Sequence, residues 1–246
     1  MKNYLSFGGG VNSVAMHILM LRENIDFEAI FVDHGTDWPE TYEYLGIFQD
    51  WLSKNRYKNI KILSHKDYGY QDTLRFASLY DYYFSKKAVP SVKMRDCTSK
   101  FKIKVIWSYA ETPCFMCIGI DAGEAHRAKI SIKKGIENRW PLIEYGVDRE
   151  GCKKIIRDAG LPVPMRSGCY ICPFQSAAQW KELRRKHPCL FKRAVELEKS
   201  NMEYRKEIGK KSFTISSSKK TLNAIVNEYQ EPLWEEDRYP PCQCGL

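Results

Sequence analysis

Two groups of residues in this chain have the types and spacing to do chemistry: thiols on turns, and a run of glycines ahead of a helix. Cys169 and Cys172 stand two residues apart in Gly168-Cys169-Tyr170-Ile171-Cys172-Pro173. Thiolates at that spacing on a turn can chelate a single Zn ion or an iron–sulfur cluster. Cys242-Gln243-Cys244 supplies a second close pair. Cys97, in Arg95-Asp96-Cys97-Thr98, precedes a helix whose positive end favours a thiolate. Five turn-like cysteines thus compete for about four ligand places, and one left over is available for chemistry. Cys114 and Cys117 share the two-residue gap but lie in an apolar, strand-like run. Residues three apart on a strand face opposite ways, so this pair reads as core. Cys152 and Cys189 stand singly on helices and read as small buried hydrophobes.

The second group is Ser6-Phe7-Gly8-Gly9-Gly10-Val11-Asn12-Ser13. It follows a short apolar strand at Tyr4-Leu5 and opens a helix. Such a turn presents bare backbone N–H groups and a positive helix end to an anion. Glycine removes the Cβ atoms that would keep a phosphate away. No Gly-Lys-Ser/Thr follows, so the run is not the common P-loop. Nor does it have the Gly-x-Gly-x-x-Gly spacing of dinucleotide sites.

The elements that must position these residues alternate along the first 120 or so positions, as expected for βαβ units. Strands are expected at 4–5, 27–32, 60–63 and 114–120, and helices at 12–23, 39–54 and 98–110. This rhythm predicts an α/β fold: a doubly wound, mostly parallel sheet followed by a helical, Cys-rich C-terminal part. The division expected is a nucleotide-binding α/β domain over 1–165 and a helical region with metal-binding cysteines and a flexible tail over 166–246. Ligands of such sheets bind beyond the carboxyl ends of strands, which is where the glycine run, Asp33 and Gly119 fall. Later helices are expected from Asp148 to Gly160, at 175–187 and 188–208, and at 219–229 with Ser216 to Ser218 as its cap. Residues 66–96 mix Tyr68, Tyr70, Tyr80, Tyr82 and Tyr83 with Lys86, Lys87, Lys93 and Arg95. They read either as a base- and phosphate-binding insertion or as a segment with buried tyrosine rings.

The 246 residues carry a net charge of +9, which favours anionic partners such as nucleotides or nucleic acid. No apolar stretch approaches about 18 residues, so no membrane span is expected. Met1-Lys2-Asn3 leads directly into a strand, so no signal peptide is expected. Nine cysteines in such a chain fit a reducing cytoplasm rather than a disulfide framework.

Several of these motifs, in this order, resemble the phosphoadenosine phosphosulfate (PAPS) reductase family within the adenine nucleotide α-hydrolase, or PP-loop ATP pyrophosphatase, superfamily. Gly8-Gly9-Gly10-Val11-Asn12-Ser13 is similar to the PP-loop pattern Ser-Gly-Gly-x-Asp-Ser, with Gly8 for Ser and Asn12 for Asp. Ser6-Phe7-Gly8 matches the start of the reductase loop. Val32 to Thr41 is similar to the family's Asp-Thr-Gly … Phe-Pro-Glu-Thr segment. Gly119-Ile120-Asp121 through Arg127 resembles its Gly-x-Arg … Arg stretch, with Asp121 in place of the first Arg. Cys97, the Cys169/Cys172 pair and Gln243-Cys244-Gly245-Leu246 match three of the family's cysteine segments, with one Cys of the first missing.

The resemblance implies an adenine nucleotide α-hydrolase-like sheet. It also implies a [4Fe-4S] cluster on Cys97, Cys169, Cys172 and Cys242, with Zn as the alternative metal. Ser6, Gly8, Gly9, Gly10, Asn12, Ser13 and Gly119 would hold the nucleotide, with Asp33 at the strand end. Lys100, Lys102 and Arg127 would neutralise oxyanions. In the first implied activity Cys244 attacks the sulfur of PAPS or adenylyl sulfate, and a thiol reductant completes the reduction. In the second, the chain is an ATP pyrophosphatase that uses Mg²⁺ to adenylate a nucleic-acid or small-molecule acceptor, which a sulfur donor protein then thiolates. A third reading is a non-catalytic, Zn-stapled module that binds a nucleotide or nucleic acid.

Overall fold

A computed structural model describes residues 1–165 and 167–230. Strands β1 (Lys2–Ser6), β2 (Glu28–Asp33), β3 (Lys61–Ser64), β4 (Cys114–Ile118) and β5 (Ile136–Arg139) form one sheet in the order β3-β2-β1-β4-β5. Every neighbouring pair is parallel. The order reverses between β1 and β4, and a ligand crevice opens at such a reversal, beyond the strand ends.

Parallel strands covered on both faces must be apolar on both, and alternation divides their side chains between two cores. Leu5, Ala29, Phe31 and Cys117 pack on one side under α1 (Val11–Arg22), α2 (Pro39–Lys54) and α8 (Arg149–Asp158). Tyr4, Ile30, Val32, Cys114 and Met116 pack on the other with Val105 and Ile106. Cys114 and Cys117 therefore face opposite cores, as their spacing requires. Both are buried, as is Cys152 on α8. Burial pushes the thiols of Cys117 and Cys152 up to about 12.

Between α2 and α8 run the short helices α3 (His65–Tyr68), α4 (Leu79–Ser85), α5 (Asp96–Thr98), α6 (Lys104–Tyr109) and α7 (Pro141–Glu144), with a π-helical turn at Ser99–Ile103. The expected helix over 98–110 thus runs from 96 to 109 with a wide turn inside it. Tyr80, Tyr82 and Tyr83 on or beside α4 are buried, in line with the buried-ring reading of that segment. They join a third core with α9 (Ala177–Lys186), α10 (Pro188–Glu207) and α11 (Leu222–Glu228), which also holds Trp38 and Phe101.

Three local expectations need correction. β5 is a strand where none was expected: it buries Ile136 but little else. Cys189 is exposed at the second position of α10 rather than buried. Helix α11 is capped by Thr221, whose side chain accepts from the Ala224 N–H, and not by the serines at 216–218. The cysteines at 242 and 244 lie outside the described residues. Among those described, no helix is long and apolar enough to cross a membrane.

The burial pattern predicts thiol reactivity. With brief iodoacetamide treatment at pH 8 and peptide mass spectrometry, Cys189 should be modified in the native protein. Cys114, Cys117 and Cys152 should react only after denaturation. Fast labelling of Cys117 would contradict the packing of β4.

Candidate nucleotide cleft and thiol cluster

Where the strand order reverses, the loop after β1 and the residues after β4 enclose a cleft of about 120 Å³. Its wall includes Ser6, Gly8, Gly10, Asn12, Ser13 and Gly119. The sequence-predicted nucleotide residues of the glycine run, Gly9 excepted, therefore converge on one space. Gly9 adopts a φ of +71°, a left-handed conformation that favours glycine. A Cβ on Gly10 would lie 2.4 Å from Ser167 Oγ, so the segment leading to Cys169 passes directly over the glycine turn.

Gly10 is the N-cap of α1 and offers no side chain to its first N–H groups, and no acidic residue stands in that first turn. By contrast α8 and α9 are capped by Asp148 and Ser176. The first backbone N–H groups of an uncapped helix remain donors toward an anion, and the helix dipole adds to their attraction. Ser13 Oγ turns back to donate to the Gly10 carbonyl at 3.0 Å.

Asn12 lies between two charged residues. Its Nδ2 donates to Asp121 Oδ2 at 2.9 Å, and its Oδ1 accepts from Arg149 Nη1 at 3.0 Å. Asn12 and Asp121 are two positions that depart from the PP-loop and reductase patterns, and here they are hydrogen-bonded to each other. Arg149, at the start of α8, also lines the cleft. Sequence reading missed it because its partner Asn12 lies 137 residues away, with no local motif.

The thiols reach the cleft through a backbone clamp. Trp38 N donates to Gly168 O and Tyr170 N donates to Thr36 O, both at 3.0 Å. Asp37 and Cys169 form the antiparallel bridge between these bonds. Gln175 locks the crossing: its Oε1 accepts from Trp38 Nε1 at 3.2 Å and its Nε2 donates to Tyr170 O at 2.9 Å. Cys169 is hydrogen-bonded to Cys172 and feels the charges of Cys172, Cys97 and Asp37, so its thiol is held well above the usual range. Burial, then the Cys172 charge, raises Cys97. Cys97 follows Arg95, whose φ of 46° bends the chain into α5.

Lys102 joins the two groups. It lines the cleft. Burial acts to lower its pKa, but Asp37, Cys169, Cys172 and Cys97 together hold it above the ordinary lysine value. His34 is buried beside this set, with Nε2 3.4 Å from Asp37 Oδ1.

The other predicted residues lie elsewhere. Lys100 donates to Asp72 Oδ2 at 2.8 Å and to the Tyr82 hydroxyl at 2.9 Å, away from the cleft. Arg127 pairs with Glu124 at 2.6 Å and lines a separate cavity of about 320 Å³ with Met94, Arg95 and Lys129. Asp33 Oδ1 accepts from Gly35 N and from the Tyr42 hydroxyl, both at 2.8 Å, and so braces the loop after β2.

Three neighbouring thiols are a donor set of the right chemistry for Zn or an iron–sulfur cluster. Among the described residues, no three His, Cys, Asp or Glu side chains converge closely enough to hold one metal ion between them. The three thiols thus have the chemistry of metal ligands without the convergence that a single ion requires.

Two neighbouring glycines should respond differently to a methyl group. Gly9→Ala must keep a φ of +71°, which L side chains rarely adopt, and brings its Cβ to 3.1 Å from Thr41 Cγ2, so it should cost about 1–3 kcal/mol in urea unfolding. Gly8→Ala meets nothing within 4 Å and should change stability by less than about 0.5 kcal/mol. Equal effects would mean that the turn does not hold the left-handed conformation at Gly9.

No family model matches the chain. It is 24% identical over 217 residues to an uncharacterized protein of Methanocaldococcus jannaschii, a match covering 80% of this chain and 48% of that protein. The chain thus spans about half the length of this curated relative.

Proposed function

We propose that this protein is an adenine-nucleotide-dependent sulfur-transfer enzyme similar to the PAPS reductases, acting on an adenylated sulfate. The observation that carries this reading is Lys102, which lines the glycine cleft and lies within the field of Cys97, Cys169 and Cys172. An anion-binding turn alone fits many nucleotide proteins, and a thiol group alone fits many metal proteins. A lysine common to both supports reading them as parts of one site.

In this reading the N–H groups at the start of α1 hold the phosphate, and Lys102 directs the sulfate end toward the thiols through charge-assisted hydrogen bonds. The Cys244 thiolate attacks the sulfate sulfur. An S–S bond forms, the S–O bond to the nucleotide breaks, and the nucleotide leaves as its phosphate. A dithiol partner then reduces the enzyme thiosulfonate, releasing sulfite and returning the Cys244 thiol as the partner becomes a disulfide. Held by Cys97, Cys169, Cys172 and Cys242, a [4Fe-4S] cluster would supply redox-active iron beside the cleft and fix the thiol-bearing segments there.

One observation favours the second reading, an ATP pyrophosphatase that prepares an acceptor for thiolation with Mg²⁺ on the phosphates. The 320 Å³ cavity borders the Cys97 turn through Met94, Arg95, Thr98 and Ser99. Its apolar wall and basic rim would suit a separate acceptor, including a nucleic-acid base.

Anaerobically purified protein is incubated separately with adenylyl sulfate, PAPS and ATP, with dithiothreitol as reductant. The expected product is sulfite from a sulfated nucleotide, abolished in Cys244→Ser. Pyrophosphate from ATP with no sulfite would transfer the assignment to the second reading. Absence of any product would contradict both and leave a binding module.

A further inference from the structure

We propose that Arg149, aimed by the Asn12–Asp121 pair, is the residue that sets ligand specificity in the cleft by binding a second anionic group of the nucleotide. This rests on the reading of the cleft as an adenine-nucleotide site.

The placement of Arg149 runs against local electrostatics. It is the first residue of α8, where the helix dipole favours negative charge. Its neighbours Asp148 and Glu150 obey that rule, Asp148 as the cap that accepts from Gly151 N at 2.8 Å. A cation at a positive helix end is a local rule broken, and such breaks concentrate at functional sites. The guanidinium faces the cleft, where the glycine run and Gly119 also point.

Its direction is fixed by an amide that cannot turn over. Asn12 Nδ2 donates to the Asp121 carboxylate while Asn12 Oδ1 accepts from the guanidinium. A flipped amide would set N–H against N–H and carbonyl against carboxylate, losing both bonds. Asn12 and Asp121 are 8% and 1% exposed, so water offers little compensation for either loss. Asp121 therefore orients Asn12, and Asn12 orients Arg149.

The turn at the start of α1 has donors for one phosphate. A second adjacent anionic group needs its own, and a guanidinium supplies them in a planar fork suited to phosphate or sulfate oxygens. A nucleoside monophosphate would use the turn alone. A nucleotide with two adjacent anionic groups would use both.

Isothermal titration of the anaerobic full chain with AMP, ADP and ATP in EDTA tests this. Wild type should bind ADP and ATP at least about tenfold more tightly than AMP. Arg149→Gln should weaken ADP and ATP by about 10- to 100-fold and AMP by less than about threefold. Arg149→Lys, which keeps the charge at the same helix position but not the fork, should fall between them. Asp121→Asn should weaken ADP with the guanidinium still present, as expected of a positioning residue. Circular dichroism and melting curves identify any variant that fails to fold, in which case the Lys variant and the wild-type ADP-to-AMP ratio decide. Equal wild-type affinity for AMP and ADP, or equal loss of all three nucleotides in Arg149→Gln, would overturn the role of Arg149 and leave the cleft assignment standing. A wild type that binds none of the three would overturn the cleft assignment itself.

Discussion

The site depends on one short backbone crossing. The loop after β2 and the segment at 168–170 exchange two hydrogen bonds around the Asp37–Cys169 bridge, and Gln175 seals the crossing against Trp38. Without it the Cys169/Cys172 turn would belong to the C-terminal helices, and the glycine turn to the sheet. With it, Ser167 lies on Gly10 and the thiols act electrostatically on Lys102. The crossing also explains why Trp38 belongs to the core of the helical region although it immediately precedes α2. Buried backbone groups must find partners, and here those partners also determine which chemistry becomes neighbouring.

The charge arrangement follows from that geometry. Positive character comes from the uncapped start of α1, from Lys102 and from Arg149. Negative character comes from Asp37 and the thiols, whose charges act on Lys102, and from Asp121, which is bonded to the Asn12 amide. Such an arrangement holds an anion without leaving buried cations unbalanced when the cleft is empty. It also links cleft and thiols, because Lys102 lines the one and is held up by the charge of the other.

Much of the fold was legible from period and punctuation. Pro39 marked the start of α2, Asp148 the start of α8, and Gly160 with Pro162 the end of α8. The alternation within β4 placed Cys114 and Cys117 on opposite faces. β5 was not legible because Ile136-Glu137-Asn138-Arg139 buries one residue and carries no apolar rhythm. The site was half legible. The glycine run converges on a cleft, and Cys97 joins Cys169 and Cys172 across 72 residues of sequence. The basic residues were not separable by composition. Lys100 and Lys102 stand two apart on a helical turn, so they cannot share a face, and only Lys102 reaches the cleft. Arg149 and its link through Asn12 to Asp121 are tertiary, with 137 and 109 positions between the bonded residues. No local pattern encodes them.

The claim that an anion-binding turn and a thiol group form a single site is open to direct observation. The decisive measurement is a crystal structure of the anaerobic full chain with an adenylate bound. The account predicts the anionic end against the N–H groups of Val11 to Ser13, with the sulfurs of Cys97, Cys169 and Cys172 grouped on the other side of Lys102. A nucleotide bound away from the glycine turn, or Cys97 separated from the Cys169/Cys172 pair, would contradict it.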